Sequence, residues 1–230
     1  MTASRAVKAP SDSPRLVGVI SAPADLLRAA ALARPPDYFE LRLDALSHLL
    51  PELERFLPRL RAPLIMTARH PREGGRGQLT SRQRGDLLAR FLPISAAIDL
   101  ELRSTASMRP LLEEATRRRL PRIISLHDFE RCPSRKQMDL AARAAQRLGA
   151  DIFKLAVRTE TKSELARLLE FFAAAKIGMA ISAMGIGKLG RQSRLELARR
   201  GSALNYVHLG APQFVGQLSL EEMRRALAQR

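Results

Sequence analysis

The chain has 230 residues, 46% of them hydrophobic and 27% charged, a composition that suits one folded domain and excludes a disordered tail protein. Lysine and arginine total 39 against 23 acidic residues, a net charge of +16, and arginine supplies 33 of the positive charges. The single cysteine, Cys132, excludes a disulfide framework or a multi-thiolate metal site.

In chain order, residues 1–15 are rich in Ser, Pro and Lys and read as a loose arm ahead of one domain over 16–230. Met1–Pro14 lacks the apolar core of a secretory signal, and no apolar run approaches the ~20 residues of a membrane span. A cytoplasmic protein with no membrane partner is expected. Short apolar segments then recur at 16–21, 38–43, 64–68, 96–102, 122–126, 151–157, 178–183 and 204–209. Their starts lie about 27 residues apart, the size of one strand-and-helix unit. Segments of 3.6-residue period lie between them, at 25–34, 46–60, 81–91, 108–119, 135–148, 163–175, 192–199 and 220–228. Thr80 and Ser134 stand where N-caps belong, Ser219–Glu222 reads as a capping box, and Gly149 and Gly201 follow helix ends. Eight near-equal units predict a single (β/α)8 barrel. A doubly wound open sheet is the competitor, but its edge strands would differ from the rest.

In such a barrel the working groups gather at the carboxyl ends of the strands. Ionisable residues fall there strand after strand: Glu40 and Arg42, then Arg69 and Glu73, then Asp99 and Glu101, then His127 and Asp128, then Lys154. The seventh strand reaches Ser182 and Met184, with Arg194 beyond it, and the eighth leads to Gly216 and Gln217. Lys154 shares a strand face with Ile152 and Ala156. Two readings compete for it. One is an ammonium buried in an ion pair with Glu40, Asp99 or Glu101. The other is a free-base amine, favoured by burial and facing arginines, that condenses with a ketone to form a Schiff base. His127, at the end of the neighbouring strand, is placed to shuttle protons for that chemistry.

Other signals are weaker. Gly185–Gly190 fits G-x-G-x-x-G, but it falls in the seventh unit and no acidic residue follows at the spacing a ribose needs. A glycine-flexed loop that lets Arg194 reach into the mouth is at least as good a reading. The four histidines form no ligand-spaced pair, so no metal is expected. Aromatic residues are 4% and do not interleave with arginine runs, so nucleic acid is not expected as the main partner. The positive field suits a small anionic substrate.

Five segments taken together carry a more specific signal: Glu40–Asp44, Thr67–Gly75, Ser125–Phe129, Asp151–Lys154 and Met184–Arg194. In order and spacing they resemble type I 3-dehydroquinate dehydratases, over nearly the whole chain. The resemblance implies a cofactor-free (β/α)8 barrel, commonly a homodimer, that dehydrates 3-dehydroquinate in the shikimate pathway. It implies Lys154 as the Schiff-base lysine, His127 as general acid and base, and Glu73 as the group orienting that histidine. Arg194 would hold the substrate carboxylate, Glu40, Arg42 and Arg69 the ring hydroxyls, and Gln217 would close the site. The family's Ser-Ala-Pro-Gly-Gln segment is replaced here by Gln213-Phe-Val-Gly-Gln217. Gln213 or Phe214 is expected to stand in for the lost serine, and Ser21 is a further candidate for substrate contact. Two rivals remain from the residues alone. A class I aldolase would share Lys154 without the Arg69, Glu73 and His127 set, and a basic RNA-binding barrel would bind RNA without needing Lys154.

Overall fold

A computed structural model describes residues 14–175 and 177–229. The expected loose arm falls mostly on residues 1–13, outside the described residues. Eight strands are present: β1 (Leu16–Ile20), β2 (Tyr38–Arg42), β3 (Leu64–Thr67), β4 (Ala97–Glu101), β5 (Arg122–Asp128), β6 (Ile152–Arg158), β7 (Ala180–Ile186) and β8 (Asn205–His208). The helices are α1 (Pro23–Ala31), α2 (Leu43–Leu46), α3 (Leu50–Phe56), α4 (Ser81–Phe91), α5 (Arg109–Arg117), α6 (Arg135–Arg147), α7 (Lys162–Ala174), α8 (Gly190–Arg199) and α9 (Leu220–Ala228).

All the strand pairings are parallel, from β7 round through β6, β5, β4, β3, β2 and β1 to β8. β7 and β8 meet without a ladder. The Ala203 N–H donates to the Ile181 carbonyl at 2.8 Å there, and Ser182 Oγ to the Leu204 carbonyl at 2.5 Å. The result is a nearly closed (β/α)8 barrel, the architecture the eight-unit repeat predicts.

Strand alternation divides the core in two. Val17, Ile65, Ile123 and Ile152 fill the barrel interior, while Phe39, Leu100, Phe153 and Leu155 face the helices. Helix starts follow from local chemistry. Thr80, Ser134, Thr161 and Ser219 each form a full capping box with the residue three positions on. Each cap contributes on the order of 1 kcal/mol; that at Thr161 was not read from the sequence.

Three expectations are corrected. The single helix over 46–60 is instead α2, a 3-10 turn, α3 and a second 3-10 turn. Pro51 and Pro58 each sit in a first turn, where the missing N–H costs no bond, so they restart the helix rather than continue it. β7 runs to Ile186 rather than stopping at Ala183. Arg194 lies inside α8, as the helical segment at 192–199 has it, and not on the loop before it.

The glycine cluster of 185–190 is a packing device. Gly216 has φ +87°, and a Cβ there would stand 2.7 Å from the Cα of Gly190. Bare backbone at both positions lets the final loop cross the start of α8.

Arg84 on α4 is almost fully buried and donates to Glu101 Oε2, the Ala68 carbonyl and Ser104 Oγ. Removing one partner of a buried ion pair leaves the other uncompensated. Arg84→Ala is therefore expected to lower unfolding free energy in urea by about 3 kcal/mol. A loss below about 1 kcal/mol would show that the pair contributes little.

Candidate active site

One layer of the barrel interior is not aliphatic. The even-numbered strands each deliver one side chain to it: Glu40, Asp99, Lys154 and Tyr206. Lys154 Nζ donates to Glu40 Oε1 at 3.0 Å and to Asp99 Oδ2 at 2.9 Å, and lies 3.6 Å from the centre of the Tyr206 ring. The lysine is only 3% exposed. Its immediate partners are carboxylates and an aromatic face, not the facing arginines expected from the sequence. The ion-pair reading of Lys154 is correct for the contacts in this structure.

Those carboxylates are held in turn. Arg69 donates to both oxygens of Asp99, at 3.1 and 2.8 Å, and also to Glu101 and Ser125. Burial would raise the Asp99 carboxyl, but the charges of Arg69 and Lys154 hold it far below the ordinary carboxylate range. Glu40 has lighter company: the Thr67 hydroxyl at 2.9 Å, and Arg69 only at 3.7 Å. Arg69 reaches the cavity wall, but both of its terminal nitrogens are engaged. Arg42 is braced by Asp44 and the Gly74 carbonyl.

His127 sits above this layer at the end of β5. Glu73 Oε2 accepts from the His127 backbone N–H at 2.9 Å and lies 3.0 Å from Nδ1. An Nδ1–H donated to the carboxylate leaves Nε2 as the imidazole's basic nitrogen. Burial, then the charges of Arg69 and Lys154, push His127 well below the usual imidazole range, so it is neutral at physiological pH. Burial lifts the Glu73 carboxyl to about 7, against the opposing charge of Arg69.

Arg194 is different. It is 5% exposed, yet its bonds go to the carbonyls of Gly185 and Tyr206, and among the described residues no carboxylate pairs with it. Burial lowers it to about 10, still charged at neutral pH. A buried guanidinium without a counter-ion is a seat for an anion.

One cavity joins these groups, with Glu40, Arg42, Arg69, Glu73, His127, Lys154, Arg194 and Gln217 all on its wall. The eight residues to which the resemblance gave roles are therefore brought to one place. Ser21 is not on that wall: its hydroxyl accepts from Gln213 Nε2 at 2.6 Å and faces Asp25. The last loop is tied down further by Gln217 Oε1, which accepts the Gln213 backbone N–H at 2.8 Å. Phe214 packs on Phe129, ring centres 4.8 Å apart, and both line the cavity. Among the described residues, no three His, Cys, Asp or Glu side chains converge as a metal site.

Sequence reading missed Tyr206 and gave Asp99 no place in the site. The signal for Tyr206 was strand parity: it faces inward on β8 as Lys154 does on β6. Asp99 was noted as a possible partner of Lys154, but nothing in the sequence ranked it above Glu101.

Fold and site together place the chain among the (β/α)8 barrel enzymes that assemble their chemistry at the carboxyl ends of the strands. The type I 3-dehydroquinase family model matches residues 19–230. The 3-dehydroquinate dehydratase of Methanocella arvoryzae is 31% identical over 215 residues, 93% of this chain and 95% of that protein. That of Methanothrix thermoacetophila is 30% identical over 216 residues, 94% of this chain and 91% of the relative. The solved 3-dehydroquinate dehydratase of Enterococcus faecalis superposes with a TM-score of 0.82 at 26% identity, covering 96% of each chain. This chain belongs to the type I 3-dehydroquinase family.

The raised Glu73 carboxyl has a measurable consequence. Between its ordinary value of 4.5 and about 7, the folded protein holds a proton there that the unfolded chain has released. Stability from this group therefore falls as pH rises through that window. Relative to Glu73→Gln, the wild-type chain is expected to lose on the order of 2–3 kcal/mol between pH 4.5 and pH 7.5 in urea titrations. A difference independent of pH would show that Glu73 titrates normally.

Proposed function

We propose that this chain removes water from 3-dehydroquinate to give 3-dehydroshikimate, the shikimate-pathway step, through an imine on Lys154. The observation that carries the reading is a buried primary amine on the wall of the cavity that also holds a neutral histidine and an unpaired guanidinium. The names of the related proteins support the substrate.

The chemistry follows from the positions. The lysine nitrogen attacks the substrate ketone, and the carbinolamine loses water to leave an iminium. That cation acidifies the neighbouring C–H, and His127 Nε2 removes the proton to give an enamine. The enamine electrons expel the β-hydroxyl, which leaves as water with the proton His127 has taken. Hydrolysis of the conjugated iminium releases the enone and restores the lysine. Glu73 orients His127 and supports its positive charge while it carries the proton.

The remaining roles are positional. Arg194 takes the substrate carboxylate, and Arg42 and Gln217 meet the ring hydroxyls. Arg69 acts mainly through its hold on Asp99, because its terminal nitrogens are already bonded. Gln213 occupies the place of the family serine, but its bond to Ser21 makes it a tether for the loop. The chain works without a cofactor, as a homodimer in the cytoplasm, in line with the family resemblance.

The direct assay is growth of the conjugated-enone absorbance on adding 3-dehydroquinate. Wild-type chain should show it and Lys154→Ala should not; an active alanine variant would refute the covalent route. Arg194→Ala should raise KM roughly 30-fold or more and also lower kcat, since a displaced carboxylate misaligns the ketone. Lysine at that position should rescue only part, lacking the planar fork. Unchanged kinetics in the alanine variant would remove Arg194 from the site.

A further inference from the structure

In the barrel layer that holds Lys154, the two carboxylates are not equivalent. Both accept a hydrogen bond from Nζ, at 3.0 Å for Glu40 and 2.9 Å for Asp99. Asp99 is fully buried, off the cavity wall, and its oxygens also carry two bonds from Arg69 and one from the Ser125 hydroxyl. Its proton affinity is spent on those partners. Glu40 lies on the cavity wall, and among the described residues it accepts, beyond Lys154, only the Thr67 hydroxyl, with Arg69 at 3.7 Å. The third neighbour of the ammonium, the Tyr206 ring, offers a π face and no base; burial and the nearby carboxylates keep its hydroxyl protonated.

An ammonium cannot attack a ketone, so one proton must leave Nζ first. We propose that Glu40 is the catalytic base that takes this proton and later returns it, a role distinct from binding the substrate's ring hydroxyls. This rests on Lys154 being the imine-forming amine. In the step, the Nζ–H bond breaks and Glu40 Oε1–H forms. The nitrogen lone pair makes the C–N bond, and the carbonyl π electrons move to oxygen. That oxygen takes a second proton from nitrogen to give the carbinolamine. Glu40 then protonates the carbinolamine hydroxyl, which leaves as water while the nitrogen lone pair closes the C=N bond. The nitrogen starts as ammonium and ends as iminium, so Asp99 and the Tyr206 ring face one positive charge before and after. Glu40 returns to its carboxylate, and the charge balance of the buried layer is preserved.

The test is the rate of imine formation, read by rapid quench of wild-type and variant chains with borohydride after mixing with 3-dehydroquinate, followed by intact mass. Across pH 6.5 to 9 the wild-type rate should be nearly flat. Glu40→Gln keeps the shape and an acceptor oxygen for Nζ but has no base. Its imine formation at pH 7 should be about 100-fold slower and should climb about tenfold per pH unit as hydroxide takes over. Glu40→Asp should be slower than wild type yet keep the flat profile, which guards against a glutamine variant that misfolds. Glutamine imine formation as fast and flat as wild type, with only KM raised, would assign Glu40 to substrate binding and overturn the proposal. A steep profile in the aspartate variant would also overturn it. Wild-type chain that turns over substrate but never yields a reduced adduct would instead refute the covalent reading itself.

Discussion

The site depends on one contact: a lysine ammonium placed in the middle of a barrel, between Glu40 and Asp99. An isolated charge there would be expelled or neutralised, because burial strips most of its hydration and the layers around it are largely aliphatic. The carboxylates that hold the ammonium are themselves charges out of water, so they require Arg69. Arg69 requires Glu101, and Glu101 is shared with Arg84 on α4. Three carboxylates and three cations thus form a balanced buried chain from the barrel axis to the helical shell. Its partners fix one another's rotamers, and Lys154 inherits that rigidity.

Arg194 stands outside this balance. Two main-chain carbonyls orient it but leave its charge uncompensated. In the proposed route the paired layer below and the unpaired guanidinium make complementary demands on a ligand: a ketone for the amine and a carboxylate for the arginine. One of those two carbonyls belongs to Tyr206, whose ring faces Lys154. A single residue of β8 therefore sets the distance between the amine and the guanidinium, the two groups the proposed route would use on one substrate.

Much of this was legible in the sequence, for identifiable reasons. The barrel could be read because each unit repeats the same physical sentence, a buried strand and an amphipathic helix. Helix starts at Thr80, Ser134 and Ser219 were visible because capping is local. The run over 46–60 misled because its apolar spacing is helical while its prolines are not, and proline decides where a chain restarts. The inward face of Lys154 followed from strand parity, and its partners Glu40 and Asp99 stood among three candidates, but nothing chose these two over Glu101 or over facing arginines. Whether arginines or carboxylates surround it depends on strand stagger across the barrel, which no local pattern encodes. The tether from Gln213 to Ser21 spans 192 positions and left no trace in spacing.

The central claim is that one lysine, by its burial and partners, becomes the covalent attachment point. Borohydride reduction during turnover, followed by peptide mass mapping, tests this most directly. The account predicts a substrate-dependent mass increase on the peptide containing Lys154 and on none of the other five lysines. Substrate-dependent label on another lysine, with the Lys154 peptide unmodified, would contradict it.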